Sequence, residues 1–442
     1  MNFTYLLLLI KFSLNIIILP FNRLISKDNN NLNPNETSKN IFFNSNIFSK
    51  IILGTPKQEL NLFLTFEYYS MYISGSQTKI ETTKFIQENS NSFQLIEEEN
   101  FYFNGERFKS GYFAEENFYF NNKKNKESKI ENFQFCLSNI NKFNESGQIG
   151  LNLEKYITNN LTDFNLIKQL KLKKIINNEI FTINFKNFDE GNLIIGDLPE
   201  IYDEKHYNKD DKIILRAETT LFDVIFQIII NKIIFDNEIV EEDINTNFKI
   251  ESNYILVNYN FGTKIYNNFF KDLIENKKIC FIDVIYDNDE LFKYNYIYCN
   301  KNSLEYIKNF PKINFILKSY DFNFEFNGME LFNKINDFYY FQIIFPNEEN
   351  SSNKFSFGAQ FFMKYQISFN LDAKTIILYK TTVNKNKKIN FLKILIILLI
   401  LFIIFAIGII FYLKNFSNRK KRKNELNEYI EYENFAENKF GI

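Results

Sequence analysis

Residues 51–74 read IILGTPKQELNLFLTFEYYSMYIS. Within this stretch NLFLTF and MYIS are short runs of Phe, Leu, Ile, Tyr and Met. The first alternates with a period of two, which places every second side chain on one face of a strand. The same texture extends outward in FYFNGERF, NFYFN, IFTINF, NLIIGD, VIFQIII, NYILVNY and TIILYK, separated by clusters of Asn, Asp and Gly. Phe, Tyr, Ile and Val dominate these runs, a β composition. Helical patterning is confined to Leu161–Leu172 and Tyr266–Ile274. A mostly-β chain of this kind builds a sandwich, a barrel or two β lobes.

The chain has 442 residues, which suits two lobes of roughly 150–180 residues plus additional segments. Its net charge of −1 leaves no electrostatic footprint for nucleic acid. The abundance of Asn, Ile, Lys and Phe reads as a coding bias toward A/T-rich codons, so single Asn and Lys residues carry little weight. One histidine, His206, lies in the polar stretch EKHYNKDDK and reads as part of a solvated loop. A single His builds neither a His-based metal site nor a Ser–His–Asp triad away from itself, and no cofactor or metal is expected. Of three cysteines, Cys280 and Cys299 are able to close a disulfide in an oxidising compartment. Cys136, in FQFCLSN, reads as a small core residue.

Residues 3–24 are strongly apolar, and residues 1–25 are expected to be a secretory signal peptide, with an uncleaved N-terminal anchor as the alternative. Ile394–Leu413, ILIILLILFIIFAIGIIFYL, is twenty residues without a charge. At helical rise it spans about 30 Å, the thickness of a bilayer's hydrocarbon core. Lys414 and the run Arg419–Lys423 follow it, which places the C-terminus in the cytosol. Together these segments predict a single-pass type I protein of the secretory pathway, with the ectodomain lumenal or extracellular. A linker, 382–393, and a cytoplasmic tail, 414–442, flank the transmembrane helix. Sequons at Asn35, Asn144, Asn160 and Asn350 fit such an ectodomain, although an Asn-rich chain produces several by chance.

Five strings resemble, in order and over about 330 residues, the pepsin-like aspartic proteases (the peptidase A1 domain). Leu53-Gly54-Thr55-Pro56-Lys57-Gln58 is similar to the family's I-G-T-P-x-Q. Ser146-Gly147-Gln148-Ile149-Gly150-Leu151 resembles its D-G-I-L-G-L turn. Gly191-Asn192-Leu193-Ile194-Ile195-Gly196-Asp197 resembles the G-x-L-x-F-G-G that closes the first lobe. Cys280 and Cys299 match the second-lobe disulfide. Phe357–Tyr365, with Phe369–Asp372 and Thr375–Leu378, resembles the family's last strands. The resemblance implies a mostly β, bilobal, pepsin-like double-barrel ectodomain with a peptide-binding cleft. The N-terminal lobe is expected over 41–200 and the C-terminal lobe over 201–381, with the boundary near Pro199–His206.

Family members carry one D-T/S-G loop per lobe, and the two aspartates share a proton because they cannot both ionise side by side. Here ungapped alignment puts Thr65, Phe66 and Glu67 in the first loop. Glu251, Ser252 and Asn253 occupy the second. Thr65 cannot ionise, Glu67 replaces a glycine, and Glu251 retains one carboxylate. The flap tip aligns with Asn104-Gly105, and Tyr72 takes the position of the first lobe's tryptophan. The expectation is a membrane-anchored, degenerate member of the family, without catalytic residues, that binds a peptide or protein in its cleft. The alternatives are an active aspartic endopeptidase with a non-standard dyad of Glu251 and Glu67, and a surface structural protein that binds nothing.

Overall fold

The computed structural model describes residues 16–24, 42, 46–78, 83–97, 102–103, 106–107, 111–121, 127–138, 146–153, 164–203, 207, 209–217, 225–286, 292–349 and 355–382, with scattered helical positions between 399 and 430. His206, the flap tip Asn104-Gly105 and all four sequon asparagines lie outside the described residues.

Two large sheets hold most of the strands. The first has thirteen strands, and its middle draws on both halves of the chain. Lys212–Arg216, Thr375–Thr382 and Tyr365–Asn370 come from the second half. They are followed by Ile180–Phe185, Glu190–Ile195 and Ile17–Leu24 from the first. From there the sheet continues through Asn46–Leu53, Gln58–Thr65, Gly147–Gly150, Met71–Ser74, Glu127–Ser138, Gly111–Asn121 and Gln94–Glu97. The second sheet, of eleven strands, belongs to residues 227–357 and carries the hairpin Cys280–Tyr286/Lys293–Asn300 at one side. One apolar core runs through both halves. Residues 1–383 form one compact unit, and strands from 212–216 and 365–382 join the sheet of the first half.

The two halves repeat one local arrangement. Gln58–Thr65 runs parallel to Gly147–Gly150, which also pairs antiparallel with Met71–Ser74. Glu238–Phe248 likewise runs parallel to Phe355–Phe357, which pairs antiparallel with Ile255–Leu256. In each case a loop joins the two strands that flank a third.

Ile17–Leu24 lies inside the segment expected to be a signal peptide and ahead of the lobe start expected at 41. This segment is a strand paired on one side with Glu190–Ile195 and on the other with Asn46–Leu53. Ile17, Leu19 and Phe21 are buried, and the Ser49 hydroxyl donates to the Pro20 carbonyl at 2.9 Å. Arg23 Nε donates to the Phe188 carbonyl at 3.0 Å while its guanidinium stacks over the Phe188 ring. A β-branched, apolar run serves a leader and a buried strand equally well.

Most of the expected strands form, but NYILVNY is strand only at Ile255-Leu256. Asn258 then caps a helix that starts at Tyr259, its Oδ1 accepting from Phe261 N at 2.8 Å. That helix continues with a π-helical stretch to Glu275, covering the helix expected over 266–274. The other expected helix begins at Leu166, where Asn165 accepts from the amides of Ile167 and Lys168. No helix among the described residues is long and apolar enough to cross a membrane, and most of Ile394–Leu413 lies outside the described residues.

Candidate functional site

The loop after Gln58–Thr65 and the loop after Glu238–Phe248 meet at one cavity. It has a volume of about 120 Å³ and is walled by Phe66, Glu67, Asn152, Phe226, Lys249 and Glu251, among others. Each loop is pressed onto a glycine of its half. A Cβ on Gly150 would stand 2.6 Å from the Tyr68 carbonyl oxygen, and one on Gly358 would stand 2.3 Å from that of Ser252. A side chain at either position would push the loop off its strand.

In the first loop Thr65 is wholly buried, and its Oγ1 accepts from Glu67 N at 2.9 Å. This hydroxyl therefore closes its own turn, the local role that Ser and Thr commonly take. Phe66 points into the core, where its ring packs 5.0 Å from Phe369 and 6.1 Å from Phe362. Glu67 is exposed at the cavity rim. In the second loop Glu251 is half-buried. Its Oε2 accepts from Phe66 N at 3.2 Å, while Oε1 is enclosed without a hydrogen-bond partner among the described residues. Burial, and then repulsion from Glu67, push the Glu251 carboxyl up to about 7, against a smaller opposing pull from Lys249. Ser252 is buried, and its carbonyl accepts from Ala359 N at 2.6 Å. Asn253 is fully buried.

The structure thus brings Glu67 and Glu251 to one cavity, with Thr65 buried behind Glu67 in the first loop, and the Ser252 carbonyl holds the second loop to Ala359. Asn152 is the participant that sequence reasoning missed. Its Nδ2 donates to the Phe66 carbonyl at 2.6 Å, and its Oδ1 accepts from Leu153 N at 2.8 Å and Phe226 N at 3.2 Å. One carboxamide therefore ties the first loop to the second half of the chain. The signal was its place directly after the Ser146–Leu151 turn, hidden by the general excess of asparagine.

Beneath the cavity, Phe369 stands at the centre of a ring cluster. The centroids of Phe66, Phe181, Phe226 and Phe248 lie within 4.8 to 5.5 Å of it. Edge and offset contacts of this kind add to plain burial. The flap alignment is only partly described: Tyr102-Phe103 and Glu106-Arg107 pair as a short hairpin on either side of the tip. Tyr72 is buried.

The disulfide Cys280–Cys299 is formed, between residues directly opposite in the edge hairpin. Cys136 is buried, and its thiol is pushed far up by burial, which suits a core residue and not a nucleophile. Among the described residues no group of three or more His, Cys, Asp or Glu side chains converges as a metal site.

No protein-family model matches the chain, and no curated protein matches it. Solved structures do. The basic 7S globulin from soybean superposes with a TM-score of 0.59 at 12% identity, covering 85% of this chain and 97% of that one. Conglutin gamma, a basic 7S globulin from lupine seeds, gives the same score, identity and coverage. At this identity the likeness is one of fold, and the fold that this chain shares with the two seed globulins is the pepsin-like one.

Proposed function

We propose that this chain is a membrane-tethered, degenerate member of the pepsin-like aspartic proteases that does not hydrolyse peptides and holds a peptide or protein ligand beside Glu251. The observation that carries this reading is the state of the two loops. One presents Thr65, with its hydroxyl engaged in its own turn, and the other presents the single enclosed carboxylate of Glu251. Hydrolysis in this fold needs two carboxylates positioned to share a proton and activate water. The second carboxylate here, Glu67, stands two residues along the loop and at the rim. A misplacement of about 1 Å can already cost roughly 100-fold. The cavity is small against the roughly 300–1,000 Å³ of drug-sized sites, so it suits one side chain of a larger ligand.

A second reading has its own observation. Glu67 and Glu251 line the same cavity and interact, and a carboxyl titrating near 7 is the behaviour of an acid or base at work. Under that reading the protein is an aspartic endopeptidase with a non-standard pair.

Tethering rests on Ile394–Leu413. Its described positions Leu399, Phe402, Phe405, Ile407 and Ile409 are helical and 45% to 72% exposed, apolar surface that a bilayer would cover. The disulfide and the expected sequons fit a lumenal or extracellular ectodomain.

The test uses residues 16–382, incubated with a mixed peptide library from about pH 3 to 7, with and without a statine-type inhibitor, beside Glu251→Gln. Retention of peptides without cleavage is the expected result. Inhibitor-sensitive cleavage that vanishes in Glu251→Gln establishes the protease reading instead. Neither cleavage nor retention leaves a structural protein. Alkaline extraction of membranes from expressing cells tests the tether, with full-length chain expected in the pellet and chain lacking 394–413 in the supernatant.

A further inference from the structure

The residues that line the cavity at the two loops divide into two chemistries. Phe66, Ile225, Phe226 and Phe248 give it apolar walls, while Glu67 and Glu251 bring two carboxylates. Lys249 is the one cation among those lining residues. The two oxygens of Glu251 are not equivalent. Oε2 accepts from the Phe66 amide at 3.2 Å, and Oε1 is enclosed with no donor among the described residues. An enclosed carboxylate oxygen without a donor is unfavourable, and a ligand that supplies a charged donor relieves it. Repulsion from Glu67 acts on Glu251 more strongly than the pull of Lys249, so negative charge predominates around it.

We propose that the cavity is a subsite for a lysine side chain of the bound peptide, with the methylene stem along the apolar walls and the ammonium beside Glu251 and Glu67. The inference rests on the peptide-binding reading above and names the residue that the site selects. Lysine joins an apolar stem to a charged tip, the same division that the lining shows. A cavity of about 120 Å³ holds one side chain and not a whole peptide. Lysine fits better than arginine. The enclosed Oε1 offers one acceptor to a point donor, whereas a guanidinium fork pairs best with two free oxygens, and Oε2 is already engaged. The ammonium pairs with the ionised form of Glu251, so a carboxyl that titrates at about 7 must release its proton on binding. Binding is therefore expected to weaken as the pH falls below 7, with Glu67 and Lys249 the charged groups that act on Glu251.

The test uses the full-length chain in a non-ionic detergent and reads binding by calorimetry at pH 8 and pH 5. The probe is the blocked pentapeptide acetyl-AAKAA-amide. One control replaces the lysine by norleucine, which keeps the stem without the charge, and a second leaves the norleucine peptide's N-terminus unblocked. The lysine peptide is expected to bind at least tenfold tighter than the blocked norleucine peptide at pH 8, and at least tenfold weaker at pH 5 than at pH 8. Glu251→Gln is expected to abolish both differences. Lys249→Met removes the competing cation and is expected to tighten lysine binding at least threefold, a gain that misfolding cannot produce. Unchanged or weaker binding in Lys249→Met overturns the proposal. Equal binding of the lysine and blocked norleucine peptides also overturns it and leaves the peptide-binding reading standing. Tightest binding by the unblocked norleucine peptide overturns it by assigning the cavity to a peptide N-terminus. No binding of any probe overturns it as well, and the library experiment then decides the broader reading separately.

Discussion

The backbone amide of Phe66 donates to the Glu251 carboxylate at 3.2 Å, joining two loops 185 residues apart in the chain. The contact links a loop of the first sheet to a loop of the second at the wall of the cavity. It also leaves the other carboxylate oxygen enclosed without a partner among the described residues. The protonation state of Glu251 is therefore coupled to how the two halves meet.

That coupling gives a pH dependence with a definite sign. The folded-state carboxyl titrates at about 7, above the ordinary 4.5. Between those values the folded protein holds more protons than the unfolded chain, so stability falls as pH rises through the window. Glu251 costs nothing below about pH 4.5 and its full penalty, about 3 kcal/mol at most, above pH 7. Glu251→Gln removes this loss. Urea midpoints at pH 4 and pH 8 are expected to separate more in wild type than in the variant. Identical separations would place Glu251 in water and not in the wall.

Thr65→Asp restores the residue type that the resemblance implies, yet it is expected not to restore hydrolysis. Thr65 is wholly buried, and the loop after it carries Glu67 where tight turning favours glycine. A second carboxylate at this buried position is an uncompensated charge. Stability at pH 8 is expected to fall by about 3 kcal/mol or more, and by less at pH 4, where the new group is protonated. Cleavage of library peptides by this single variant would show that the family's geometry survives intact.

When the chain is expressed through a secretory host, its folded form is expected to begin at or before Ile17. Loss of Ile17–Leu24 would unpair Glu190–Ile195 and Asn46–Leu53 from their shared neighbour and divide the thirteen-stranded sheet. N-terminal sequencing of material from a secretory host reads the boundary directly. An N-terminus beyond Leu24 on folded material would contradict the strand assignment.

Phe369→Ala removes the ring on which Phe66, Phe181, Phe226 and Phe248 converge. A truncation of this size in a closed core costs about 3–5 kcal/mol. Leu172→Ala, on an exposed helix end, is expected to stay within about 0.5 kcal/mol. Denaturant titration of both variants checks the contrast, and comparable losses would mean that the cluster does not hold the halves together.

The local pattern determined much of this protein by itself. The run NLFLTF became a strand with Leu62 and Leu64 buried because alternation fixes which side chains face a core, while IFTINF is a strand buried at five of its six positions. The strings around Gly147 and Gly358 carry glycines where a Cβ would stand 2.3 Å from the Tyr72 carbonyl oxygen and 2.2 Å from that of Tyr254. The loss of one carboxylate was readable because residue identity alone decides ionisability. Only the tertiary structure decided the rest. It alone showed Ile17–Leu24 to be a strand, because an apolar run carries no mark of whether its partner is a sheet or a leader-processing machinery. It alone joined Asn152 to Phe226 and Phe66, and Phe42 to Tyr254 and Tyr296, because contacts between segments far apart in sequence depend on how sheets are stacked. The environment of Glu251 belongs to the same class. A glutamate's charge is written in the sequence, but the burial and the neighbouring carboxylate that raise its titration come from chain folded around it.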